Sequence, residues 1–138
     1  MIQRIQSVWL FLASIFNAIT FRFPFYIGDW QKDNVQQVID LNAQTTTVLT
    51  VITVVTGLLA LVNIFLFGNR KLQLKLTYAG LFLSVLLLVM YFLEMGNFNS
   101  GDIALWSLFY FAIFVFYLLA ARGIRKDEKL IKSLDRLR

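Results

Sequence analysis

Twenty consecutive residues, VLTVITVVTGLLALVNIFLF at positions 48–67, carry no charge. That is the length an α-helix needs to cross the ~30 Å hydrocarbon core of a bilayer at 1.5 Å per residue. In water such a helix would have to be covered on every side. A chain of 138 residues has too little polar surface to do so, because its hydrophobic fraction is 59% and its charged fraction 15%, against roughly 45–50% and ~25% in soluble domains. A bilayer removes the difficulty, since it is itself the apolar solvent.

Three further runs qualify. The spacing predicts membrane helices over residues 5–22, 46–67, 76–93 and 103–121 within one domain, an all-α membrane protein whose four helices run up-down-up-down. The first run has a short basic start like a signal peptide. Its best cleavage candidate, Phe16-Asn17-Ala18, puts Phe where a small side chain belongs, so the run reads as a retained anchor. Pro24 cannot continue a helix and biases Phe23 toward extended backbone, which ends the first run near Arg22. Gly68-Asn69 reads as the left-handed close of the second run. The segment from Gly96 to Gly101 reads as a polar turn, and the short connections make consecutive helices antiparallel neighbours.

Lysine and arginine then set the orientation. Arg4, Arg70, Lys71, Lys75 and the seven basic residues of the tail lie on one side, eleven against Arg22 and Lys32 on the other. Both termini and the loop between the second and third runs are expected in the cytoplasm. The +5 net charge thus sits at membrane edges and does not point to nucleic acid. The tail, residues 122–138, is expected as a basic amphipathic helix. Ile124, Leu130, Ile131, Leu134 and Leu137 share a face that Arg125, Lys126, Lys129, Lys132 and Arg136 flank. It has three readings: a solvated stop signal, a helix lying on anionic headgroups, or a partner-binding helix.

The external segment, residues 28–44, has Val35, Val38 and Ile39 at helical spacing and Trp30 as an interfacial aromatic. It is expected as a short interfacial helix or an outward extension of the second span. Polar residues inside the spans are the default functional candidates. Asn17 falls roughly 18 Å from the inner face and Asn63 roughly 8 Å, too far apart in depth to share a site. Thr56 lies near the depth of Asn17 and Ser84 near that of Asn63, so the economical contacts are Asn17–Thr56 and Asn63–Ser84, polar glue between neighbouring helices. Gly57 with Thr53, and Gly80 with Ser84, give the small-xxx-small spacing of close helix approach. At the outer rim Arg22 is a candidate ion-pair partner for Asp102 of the adjacent span, ahead of Glu94 of the diagonal one.

The chain contains neither Cys nor His. This excludes disulfides and membrane oxidoreductases that work through paired cysteines, and leaves only carboxylates as metal ligands. It holds no nucleophile-elbow motif and no phosphate-binding glycine loop, so no catalytic, cofactor or metal residue is assigned. Small four-helix multidrug exporters match the chain in size but depend on a glutamate in their first span, where this chain has none. Asp29, Asp33, Asp40, Glu94, Asp102, Asp127, Glu128 and Asp135 all fall away from the bilayer midplane.

The start MIQRIQSVWLFLASIFNA, the segment FRFPF and the terminal RGIRKDEKLIKSLDRLR resemble a family of small bacterial four-span membrane proteins, domain of unknown function family 4293. The resemblance covers the whole chain and implies a bacterial inner membrane and a retained first span; it implies no ligand or catalytic group. The expected function is therefore a non-catalytic assembly, scaffold or accessory subunit of an envelope complex. The expected partners are the lipid bilayer and either a membrane-protein partner or further copies of the chain. The alternative is a small transporter or channel.

Overall fold

The structure is a computed structural model that describes residues 3–32, 35–66 and 68–137. Asp33, Phe67 and Arg138 lie outside the described residues, as do the side chains of Arg4 and Lys32. The elements run α1 (Gln3–Ile19), β1 (Tyr26–Lys32), β2 (Val35–Leu41), α2 (Thr47–Phe65), α3 (Arg70–Met95), β3 (Phe98–Ile103) and α4 (Ser107–Arg136). Helices α2, α3 and α4 are each long and apolar enough to cross a membrane. Helix α1 is shorter, at 17 residues.

Side-chain caps fix where the middle helices begin. Thr46 Oγ1 accepts from the Leu49 amide at 3.3 Å and Asn69 Oδ1 from the Leu72 amide at 3.2 Å, each satisfying an N–H that has no partner inside its helix. Asn69 thus starts α3, whereas the reading of Gly68-Asn69 as a left-handed helix end is corrected: α2 closes at Leu66, with φ −87°. Helix α1 also ends earlier than residue 22. It gives way after Ile19 to tight turns, with Phe23 N bonding Ile19 O at 3.1 Å, before Pro24 sets the chain straight.

Each helix packs on two others, α1 on α2 and α4 and α3 on α2 and α4, so the four close a ring. The buried positions repeat with alternating steps of three and four. They are Leu49, Thr53, Thr56, Ala60 and Asn63 on α2, and Gln73, Thr77, Gly80, Ser84, Leu87 and Tyr91 on α3. On α4 they include Tyr110, Ile113, Tyr117, Ala120, Ile124 and Asp127, and on α1 Gln6, Leu10, Ala13 and Asn17, with Thr20 continuing the period in the turn that follows. This is the seam of knobs-into-holes packing. Polar and small residues share this seam with Leu10, Leu49, Ile113 and Ile124, while many large apolar ones point away: Phe82 is 68% exposed, Leu108 70% and Phe65 77%. Water would oppose that inversion, and hydrocarbon permits it.

The segment expected as an interfacial helix is instead a hairpin, β1 against β2, and the expected polar turn at residues 96–101 contributes β3. All three strands are antiparallel in the order β2-β1-β3. The fold is thus mostly helical with a small sheet. Strand alternation decides the matter. Tyr26, Trp30, Ile39, Leu41 and Phe98 project to one face, where they pack on Leu49, Ile52, Leu87, Met90 and Tyr110 of the helices. The other face keeps Ile27 and Val38 exposed. Two glycines make the β1–β3 pairing close: Gly28 stands opposite Gly101, and a Cβ on Gly101 would lie 2.5 Å from the Gly28 Cα.

The tail continues α4 without a break to Arg136. Its apolar stripe is divided. Ile124 is fully buried and Ile131 half-buried, whereas Leu130, Leu134 and Leu137 are exposed.

Candidate functional site: the polar seam inside the helices

Four layers of polar groups fill the interior. Nearest the sheet, Tyr110 Oη donates to the Phe23 carbonyl at 2.7 Å and to that of Thr20 at 3.1 Å, tying α4 to the turn that follows α1. Below it lies a cavity of about 10 Å³ lined by Asn17, Thr20, Thr53, Ser84, Tyr91 and Tyr110, among others. The Asn17 Nδ2 and Tyr91 Oη that border it are buried and have no hydrogen-bond partner among the described residues. The volume suits one water molecule, and both groups can bond one.

The second layer is built on Tyr117, whose hydroxyl donates to the Thr56 carbonyl on α2. Its ring passes over Gly80 of α3, where a Cβ would lie 2.2 Å from Cε1. Gly80 is therefore the residue that lets α4 reach α2 across the ring.

Toward the tail, Asn63 Nδ2 donates to Thr77 Oγ1 at 2.6 Å and Gln73 Nε2 to the Asn63 carbonyl at 3.2 Å, joining α2 to α3. One layer further, Gln6 Nε2 donates to Asp127 Oδ2, with both residues buried. This bond connects the start of α1 to the late part of α4. Gly123 makes room for it: a Cβ there would stand 2.9 Å from Gln6 Cγ.

The structure thus corrects two expected contacts. Asn63 bonds Thr77, two α3 turns from Ser84 on the tail side, and Ser84 Oγ returns to its own helix at Leu81 O, 2.7 Å. Thr56 Oγ1 likewise donates to Ile52 O at 2.7 Å, while Asn17 packs its amide on Gly57. Hydroxyls on helices have this local alternative, and threonine takes it readily. The candidate outer ion pair is also corrected. Arg22 is exposed and forms no ion pair with Asp102 or Glu94; Asp102 sits in β3 opposite Ile27, and Glu94 accepts from Asn97 Nδ2 at 3.1 Å. Among the described residues the ion pair is Lys132–Glu128, 3.1 Å. Of the other tail cations, Arg125 lies 5.9 Å from the Tyr78 ring centroid, and Lys126, Lys129 and Arg136 are exposed.

Gln6, Gln73, Thr77, Tyr117 and Asp127 were not anticipated. The signal was present in Asp127, an acid at the three-and-four spacing of Ile124 and Ile131, and in the three-and-four spacing of Gln6, Asn17 and Thr20. Chemically the seam is joined by hydrogen bonds: the hydroxyls of Thr20, Thr53, Thr56, Tyr110 and Tyr117 donate to carbonyls, and the Asp127 carboxylate holds an amide. Among the described residues no three His, Cys, Asp or Glu side chains gather at one point.

Helices of this length and hydropathy around a polar seam define a membrane protein. The chain belongs to the family described as Domain of unknown function (DUF4293), whose model matches residues 2–137. No curated protein and no solved structure matches it.

Proposed function

We propose that the chain is a bacterial inner-membrane protein that crosses the bilayer four times with both termini in the cytoplasm, and that it acts without catalysis as an assembly or accessory subunit of an envelope complex. The orientation follows from the Lys and Arg imbalance, which places the sheet outside and the α2–α3 turn and tail inside. Helix α1, at 17 residues, reaches about 26 Å, and the turns at residues 20–23 carry the chain the remaining distance to the sheet.

The observation that carries the assembly reading is the edge of the sheet. Strand β2 is an outer strand, and Val35, Gln36, Gln37, Val38 and Asp40 along it are exposed. Its sequence, VQQVIDL, has none of the lysines, prolines or bulges that usually blunt a free edge. An open edge facing water accepts a strand from another polypeptide by backbone pairing. The interior favours this reading over transport, because Tyr91, Tyr110 and Tyr117 fill it and leave space for about one water.

The test is a photo-crosslinking residue at Val38 in cells, followed by native purification. A stoichiometric protein crosslinked at that position is the expected result. Solute or ion flux by the pure protein in liposomes, with nothing captured at Val38, would overturn the reading.

A further inference from the structure

The α2–α3 turn and the late part of α4 enclose an open groove of about 590 Å³, bordered by Arg70, Lys71, Lys132, Glu128 and Ile131. We propose that this groove holds the phosphate headgroup of an anionic phospholipid of the inner leaflet. The inference rests on the membrane reading above, which sets the level of the groove.

That level follows from the chain itself. Phe65, the last outward-facing apolar residue of α2, is 77% exposed and so faces hydrocarbon. The groove opens three residues later, at Gly68, within one helical turn of the hydrocarbon boundary. Leu72, the next large apolar residue on α3, is again exposed. The cations Arg70 and Lys71 lie between these two lipid-facing residues in sequence, at the depth of the phosphates.

Charge makes the same selection. The groove carries three cations and one carboxylate, and Glu128 is engaged by Lys132 at 3.1 Å. Arg70 and Lys71 therefore have no acidic partner among the described residues. Both also stand in the first turn of α3, which holds no acid, where the peptide dipoles already favour an anion. Half-buried Ile131 gives the groove an apolar floor on which a headgroup's glycerol end can rest. A soluble anion would find the same charges but would gain nothing from a floor at the lipid boundary. Basic pockets between helices on the cytoplasmic side recognise anionic headgroups in this way.

The experiment uses the full chain in nanodiscs of phosphatidylcholine with a minor fraction of phosphatidylglycerol, and native mass spectrometry counts the lipid retained on the protein. The groove variant is Arg70→Gln with Lys71→Gln. The charge-matched control is Lys129→Gln with Arg136→Gln, which lie outside the groove. The groove variant should lose phosphatidylglycerol preference about fivefold per cation, the ratio equivalent to about 1 kcal/mol near a membrane surface. The control should retain it. Glu128→Gln, which removes the acid and frees Lys132, should raise retention, so a gain of binding tests the groove even if the double variant folds poorly. Equal losses in groove and control variants would overturn the proposal in favour of diffuse surface charge. Displacement of the lipid by millimolar inorganic phosphate would overturn it in favour of a soluble anion. Release of the wild-type chain from membranes by alkaline carbonate would instead sink the membrane reading itself.

Discussion

The two ends of the helical ring are closed with different chemistry. At the sheet end Phe25 is enclosed by rings: Tyr91 stacked at 5.1 Å, Tyr110 edge-on at 5.1 Å and Phe92 at 5.7 Å. The sheet covers this cluster with Tyr26, Leu41 and Phe98. At the tail end the joints are amides and a carboxylate, Gln6 with Asp127 and Asn63 with Thr77. On the proposed membrane reading the sheet end meets water, whereas the Asn63–Thr77 joint lies where α2 and α3 are flanked by lipid. Where water touches the protein, apolar burial drives closure. Between helices flanked by lipid that drive disappears, and association relies on close packing and interhelical hydrogen bonds. The sheet end should therefore be held by bulk and the tail end by pairing.

The largest effect expected from that difference is at Phe25. Phe25→Ala empties the centre of the aromatic cluster and should cost about 3–5 kcal/mol, read as a lowered thermal midpoint in detergent with loss of near-ultraviolet dichroism. An unchanged midpoint would show that the sheet end is not held by bulk. Next comes Asp127→Ala, which strands the buried Gln6 amide and should cost about 1–3 kcal/mol. Here pairing makes a sharper demand: Gln6→Leu combined with Asp127→Leu should recover much of the loss, and strictly additive losses would reject the joint.

Thr77→Val removes the acceptor of the Asn63 amide and should cost about 0.6 kcal/mol, the usual size of a polar contact between membrane helices. A loss as large as that of Phe25→Ala would erase the contrast between the ends. The smallest effect is the charge exchange of Arg22→Asp with Asp102→Arg. Since no ion pair joins them, the shifts in melting temperature of the single changes should add; mutual rescue would show a coupling that the folded chain does not contain.

The same division explains what could be read from the sequence. The apolar runs of α2, α3 and α4 were visible because hydrocarbon thickness dictates their length. The seam was less so, because the period that marks the interior is carried largely by Gln6, Asn17, Thr53, Asn63 and Thr77, whereas Leu and Phe occur both inside, as Leu10 and Leu49, and outside, as Leu108 and Phe82, and so mark neither. Depth along the chain placed Asn63 against α3 but pointed to Ser84, whereas the bond goes to Thr77, two turns nearer the tail. The sheet was hidden for another reason. Val35, Val38 and Ile39 fit a helical period, yet they pair with β1, whose other edge is covered by β3 from far along the chain. Gly28 and Gly101 resemble turn residues locally and become a close backbone crossing only when they meet.

That crossing imposes an order on biosynthesis. Ser100 of β3 donates to the Asp29 carboxylate across 71 residues of chain, so β1 has only β2 beside it until α3 has been made and the second outer loop has followed. During that interval the sheet is a two-stranded hairpin, marginal on its own in water, and the second edge of β1 stands open. A nascent chain halted after Met95 is consequently the form most prone to pair with the wrong strand, and β3 acts as the late closure that ends this exposure.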